Sequence, residues 1–444
     1  MKAKQHFRQA KALVVLVAVA ALGLTACTSA TPGGGASSSG QVVTLTLVSH
    51  YTDDTSPTKQ TFDALIAQWN AANPGIQVVS QPVQFADLLT TLSTRQAGGQ
   101  GADMFNAYAV WGQLASNGVL DTPPQAVIDD IKNNYNAPAL AAVTGPDGQI
   151  FGYPSEVDTA GLFYNKQLMA AAGYPNPPTT WAQLQDAADK MTKMDKNGNY
   201  EVVGFPPTKT FDNDLNTAHP FEALWNASGA KSLTNPDGTS ALDSNAQTLL
   251  QMYSDLVSSG AMSEAIDPYQ AFPNGQIGMF IELQWYVSTL QSMMSAEDFS
   301  NIVGTAPIPG PNEGQVGSVS AVYYLGVSAA SPHKAEAWQF LQWFNSVTNA
   351  DGATTFGEDM ANGGFIPPRT SDDQLLESQA VAQQPLLKPF WDASSYAMGE
   401  SNTPNGYAAK TALHNGINDL VSNGTSASDT LGKINAAINA SSTS

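Results

Sequence analysis

Asp158 stands between Val157 and Thr159 in an otherwise strand-like run, YPSEVDTAGLFYN, and Glu156 lies two residues before it. An acid in such a run is costly unless it is partnered or used. A second group, Ser49-His50-Tyr51-Thr52-Asp53, follows the apolar run VVTLTLV, and Asn106, Tyr108 and Trp111 follow a short run at Asp103 in the same way. Both lie just past the C-terminal end of an expected strand, where open α/β sheets place their ligands. Asp103 itself reads as a brace for its loop. Aromatic platforms bury area at little entropic cost, and acids and amides fix orientation. That chemistry holds a small molecule; it does not break one.

Other chemistries find less support. Asp195-Lys196-Asn197-Gly198-Asn199 opens like a calcium loop, but Tyr200 and Pro206 stand where glycine and glutamate are needed, so a tight turn is expected. His6, His50, His219, His333 and His414 show no metal-ligand spacing, and no metal or other cofactor is expected. No phosphate loop, dinucleotide glycine signature or nucleophile elbow is present. Carboxylates are plentiful, yet nothing selects the pair about 5–9 Å apart that a glycoside hydrolase requires, so catalysis is not expected.

The first 26 residues read as a leader. Lys2, Lys4, Arg8 and Lys11 precede an apolar run, Ala12 to Ala21, too short to span a bilayer. Leu24-Thr25-Ala26-Cys27 resembles a bacterial lipobox, which implies lipidation of Cys27 and a protein anchored to the outer face of the cell membrane. Cys27 is the only cysteine, so no internal disulfide can form. Residues 27–40 continue as a Gly/Ser-rich tether.

The formal charge is −20, and about −24 without the leader (−20 minus its four cations). Only Arg95 and Arg369 follow the leader, which disfavours nucleic acid and phosphorylated ligands. Neutral or cationic ligands fit better.

These residues need elements to place them. Residues 42–48 read as a buried strand, and 57–72 as a helix with Phe62, Leu65, Ile66 and Trp69 on one face. Asn73-Pro74-Gly75 stops it, and 76–79 is the next strand. That βαβ order implies a mostly parallel sheet. Helices are expected over 86–97, 181–194, 219–228, 244–259 and 333–347, and again near the C-terminus. Trp69, Trp181, Trp338 and Trp343 lie on helices with apolar periodicity and read as core. About 400 residues exceed one core, so two lobes are expected.

Five ordered segments carry a resemblance to the extracellular solute-binding proteins of family 1, the maltose-binding type. They are FDALIAQWNAANPGIQV (62–78), GGQGADMFNAYAVWGQLASNGVLDTP (98–123), FGYPSEVDTAGLFYNKQLMAAAGYPNPPTTWAQL (151–184), AFPNGQIGMFIELQW (271–285), and SVSAVYYLGVSAASPHKAEAWQFLQWF (318–344) with GGFIPPR (363–369). The resemblance implies an α/β, two-lobed periplasmic-binding-protein-like fold of type II, with lobes of roughly 41–156 with 326–365 and 157–325 with 366–444. It implies an oligosaccharide held in the cleft, delivery to ABC permease subunits, and a monomer. A cationic or other small solute is the alternative. Trp285 matches the family's signature sugar-stacking tryptophan, with Glu282 three residues before it, and Asp158 matches a hinge carboxylate. His219 aligns with an aromatic platform, and Trp225, Tyr323, Trp391 and Tyr407 complete the expected ligand set.

Overall fold

The structure, a computed structural model, describes residues 42–99, 101–207 and 214–443. The leader, Cys27 and the tether lie outside the described residues. Among the described residues, no helix is long and apolar enough to cross a membrane.

The strands that carry the site are β1 (Val43–Ser49), β2 (Ile76–Pro82), β3 (Met104–Tyr108), β4 (Tyr153–Asn165), β5 (Met279–Leu283), β6 (Val303–Ala306), β7 (Val319–Val327) and β8 (Met398–Gly399). The helices that matter are α1 (Pro57–Ala72), α2 (Phe85–Ala97), α3 (Asp214–Asn226), α4 (Lys334–Phe344) and α5 (Gly406–Asn423). The sheet order is β2-β1-β3-β7-β4-β5, with β8 beside β7 and β6 beside β4. β1 runs parallel to β2 and β3, as the βαβ spacing predicts. β7 then runs antiparallel to both β3 and β4, and β4 runs antiparallel to β5 and β6, so the sheet is mixed and not mostly parallel as the first βαβ unit suggested.

Local sequence explains the first elements. Pro57 sits in the first turn of α1, where its missing N–H costs nothing. Phe62, Leu65, Ile66 and Trp69 are buried on one stripe, and Trp69 Nε1 donates 3.1 Å to the Ile76 carbonyl, fastening the helix to the head of β2. Asp103 braces as expected, accepting from Thr46 N at 2.9 Å and from Ser331 Oγ at 2.6 Å. The Asp195 turn also forms: the amides of Asn197 and Asn199 bond to Asp195 Oδ1 at 2.7 and 2.9 Å. Of the four core tryptophans, Trp69, Trp181 and Trp338 are buried, and Trp343 is half-buried against Trp69.

Among the boundaries that differ from expectation, two bear on the site. α3 begins at Asp214 and runs through Pro220, not from a start beside the proline. β3 extends to Tyr108 because β7 pairs along it up to that residue.

β4 changes partners midway. Residues 153–159 pair with β7, while 160–165 pair with β5 and β6. Side chains meet the backbone groups at the changeover, as buried amides and carbonyls require. Thr159 N donates to Gln284 Oε1 at 2.7 Å, and Gln284 Nε2 donates to the Val157 carbonyl at 2.9 Å. Ala160 N donates to Ser318 Oγ at 2.9 Å, and that hydroxyl returns a 2.8 Å bond to the Ala160 carbonyl. A third stretch joins here, with Ile366 and Val157 exchanging N–H···O bonds of 3.2 Å.

Candidate ligand-binding site

Pairing across three strands assembles one face. Tyr323 on β7 registers with Tyr108 on β3, and the rings stack with centroids 4.7 Å apart and planes 18° apart. On its other edge β7 brings Tyr323 opposite Glu156 and Ala321 opposite Asp158. Because side chains alternate along a strand, both phenols and both acids share that face.

The loop after β1 closes over it. The His50 ring lies 4.8 Å from Tyr323 and 4.3 Å from Tyr51; Nδ1 contacts Asn106 Oδ1, and Nε2 is 3.7 Å from Glu156 Oε1. Tyr51 donates 2.9 Å to Glu156 Oε2. Phe85, the first residue of α2, stacks on Trp111 at 5.8 Å and meets Tyr323 edge-on at 5.8 Å.

Residues far along the chain complete the cluster. His219 Nε2 on α3 lies 3.3 Å from the Tyr108 hydroxyl and 2.8 Å from Glu400 Oε1. Glu222, one turn on, faces Lys410 of α5, whose Nζ is 3.0 Å from Glu222 Oε2 and also contacts Glu400. His219, Glu222 and Glu400 could offer three atoms to a metal within 4.8 Å. The Lys410 ammonium already supplies positive charge at that point, so the set does not fit a metal centre. At the far end of β5, Glu282 bonds to the Tyr269 hydroxyl and to the Leu283 amide, and the half-buried Trp285 ring lies parallel to Tyr269 at 6.1 Å.

Burial dominates the electrostatics. It pushes Asp158 well above the usual carboxylate range, and the like charges of Glu156 and Glu282 push the same way. Glu156 is also raised by burial, against the opposing pull of His50 and the Tyr51 hydroxyl. Burial raises Glu222 while Lys410 draws it back. Burial lowers Lys410 to about 8 and holds His219 well below the ordinary imidazole value. Asp158 Oδ1, Trp111 Nε1 and His219 Nδ1 are buried without hydrogen-bond partners among the described residues.

The structure therefore brings together His50, Tyr51, Asn106, Tyr108, Trp111, Glu156, Asp158, His219 and Tyr323, with Glu282 within electrostatic reach of Asp158. Trp285 joins through Tyr269 and Glu282. Four expected residues do not join. Asp53 is exposed and turns back on Thr55, accepting its hydroxyl at 2.7 Å. Trp225 is buried with its N–H spent on Asp243 at 2.9 Å, and Trp391 likewise on Asp373 at 2.7 Å, so both serve packing. Tyr407 lines a separate groove of about 560 Å³ with Gln113 and Pro236. A wider groove of about 850 Å³ opens beside Trp69 and Trp343. The aromatic and acid cluster lies in neither; Asn106, Tyr108, Trp111, Glu156 and Asp158 are buried, and His50 and Tyr323 are half-buried. Asn402 reaches across, donating at 2.8–3.1 Å to the carbonyls of Ala141, Ala142 and Thr144.

Phe85, Tyr269, Glu222, Glu400 and Lys410 escaped the sequence reading. A signal existed for Glu222, three residues after His219 on a helical pattern. None exists for Glu400 and Lys410, which meet α3 only through tertiary contact.

A family model described as bacterial extracellular solute-binding protein matches residues 53–351, more than half of the chain. The chain belongs to that family. A maltotriose-binding protein of Pyrococcus abyssi is 24% identical over 375 residues, covering 82% of this chain and 74% of that one. The cyclic α-maltosyl-1,6-maltose binding protein of Arthrobacter globiformis superposes with a TM-score of 0.71 at 24% identity, over 90% of this chain and 99% of that one. The sugar-binding protein MalE of Xanthomonas citri gives 0.72 at 18% identity, over 90% and 98%. These superpositions establish the periplasmic-binding-protein fold for the solute-binding protein described here. It is an ABC-transporter solute-binding protein, a binder and not an enzyme.

Proposed function

We propose that this solute-binding protein captures an oligosaccharide between two lobes and hands it to ABC permease subunits while tethered to the membrane through a lipid on Cys27. The lobes are roughly 41–156 with 326–365 and 157–325 with 366–444, joined where β4, β7 and the stretch at Ile366 meet. A monomer suffices, since both walls come from one chain.

One observation carries the reading. The stacked Tyr108 and Tyr323 share a face with Glu156 and Asp158, and Asp158 Oδ1 and Trp111 Nε1 there are buried without partners. A pyranose offers apolar C–H faces to such rings and hydroxyls to such groups. Unpartnered buried polar atoms cost stability, so a guest that satisfies them is favoured over the packed state. Hinge opening between the halves would admit it. The relatives named for maltotriose and cyclic maltosyl-maltose support the same ligand class.

Thermal-shift titration of the purified protein with malto-, manno- and chito-oligosaccharides tests the proposal. At least one series should raise the melting point saturably, and the sugar should be recovered uncleaved. No shift with any series, or cleavage of the sugar, would overturn it.

A further inference from the structure

Asp158 is 3% exposed, its Oδ1 has no hydrogen-bond partner among the described residues, and the charged groups it meets, Glu156 and Glu282, bear its own sign. The neighbouring cations are committed elsewhere: Lys410 sits between Glu222 and Glu400, and His50 stands 3.7 Å from Glu156. The other titratable groups within electrostatic reach of Asp158 are the phenols of Tyr108 on β3 and Tyr323 on β7. An orphaned acid beside two stacked aromatic faces is the combination that recognises an ammonium group, by charge from one side and by ring quadrupole from the other.

We infer that the ligand is an oligosaccharide carrying a protonated amine, its ammonium seated on Asp158 against the Tyr108–Tyr323 stack. A neutral sugar could donate a hydroxyl to Oδ1, but it brings no charge to offset ionising Asp158 beside Glu156 and Glu282, so it meets only the protonated acid. An ammonium supplies both the donor and the charge. Further aromatic surface, Phe85 on Trp111 and the Trp285 ring, gives the remaining sugar rings somewhere to lie, which a bare polyamine would not use. The inference rests on the oligosaccharide reading and narrows it to amino sugars.

Calorimetric titration with two matched pairs tests it: glucosamine oligomers against their N-acetylated counterparts, and acarbose, which carries a secondary amine, against maltotetraose. The amine member of at least one pair should bind about tenfold or more tighter than its neutral partner. Binding should release protons, read as an enthalpy that changes with the buffer's ionisation enthalpy, because the ammonium forces Asp158 to ionise. Asp158→Asn should erase the amine preference, bringing the two members of each pair to affinities within about threefold of each other. Equal or tighter binding of the neutral members overturns the inference and leaves the oligosaccharide reading standing. An amine preference that persists in Asp158→Asn overturns the assigned seat. Failure of every member of both pairs to bind overturns the inference, and the oligosaccharide reading then stands or falls on its own panel.

Discussion

Lys410 Nζ lies 3.0 Å from Glu222 Oε2, and both side chains are 1% exposed. The pair ties α5 to α3 behind His219, and Glu400 completes it. Removing one partner of a buried ion pair leaves a charge with neither water nor counter-ion. Lys410→Met should therefore destabilise the protein by about 3–5 kcal/mol. Adding Glu222→Gln should recover part of that loss. Urea unfolding of both variants checks this, and a Lys410→Met protein as stable as the parent would contradict it.

Stability should fall as the solution moves from mildly acidic to neutral pH. Burial raises the carboxyls of Glu156, Asp158, Glu222, Asp359 and Asp373 in the folded chain. Between the unfolded and folded values such a group binds more protons when folded, so the free energy of unfolding decreases as pH rises through that window. The penalty is absent below the unfolded value and complete above the folded one. Asp419, lowered to about 2 by Lys433, Asn423 and Thr425, works in the opposite sense but only below its ordinary range, and His219, held low by burial, opposes the trend up to the ordinary imidazole value as one group against five. Ligand-free protein should melt higher at about pH 5 than at about pH 7.5, and Asp158→Asn should flatten the slope. A melting point that climbs steadily across that interval would refute the account.

Gly161 sits where β4 exchanges β7 for β5, and a Cβ there would meet the Phe390 ring at 2.5 Å. Phe390 is fully buried and has little room to retreat. Gly161→Ala should cost about 1–3 kcal/mol by overpacking, with a lowered unfolding midpoint as the readout.

Asn402 is expected to act as a latch on the packed state. Its amide donates at 3.1, 2.9 and 2.8 Å to the carbonyls of Ala141, Ala142 and Thr144, joining stretches of the two proposed lobes. Asn402→Ala removes these bonds without touching the aromatic face. Small-angle scattering should show a larger radius of gyration in the ligand-free variant, and affinity for whichever sugar binds should weaken about three- to tenfold. An unchanged radius and affinity would show that the contact does not hold the packed state.

Much of the site was legible because it follows strand ends. His50, Tyr51, Asn106 and Tyr108 lie at or just past the C-terminal ends of expected strands, a position fixed by local hydrophobic pattern. Asp158 announced itself as an acid inside an apolar run. Pattern could not sort the tryptophans: Trp225 and Trp391 look as suitable as Trp111, and what removes them is an acid for each N–H, Asp243 and Asp373, both 18 residues away. Asp53 failed for a local reason, since the Thr55 hydroxyl two residues on captures its carboxylate.

From the chain alone came the acidity, the scarcity of arginine, the order of elements and the family resemblance, because each depends on composition or on contacts a few residues apart. The tertiary structure decided which groups share a wall. Glu400 reaches His219 across 181 residues, and Tyr323 stands between Tyr108 and Glu156 only because β7 inserts between β3 and β4. Side-chain period tells which face of a strand a residue occupies, but the order in which strands assemble determines what that face confronts.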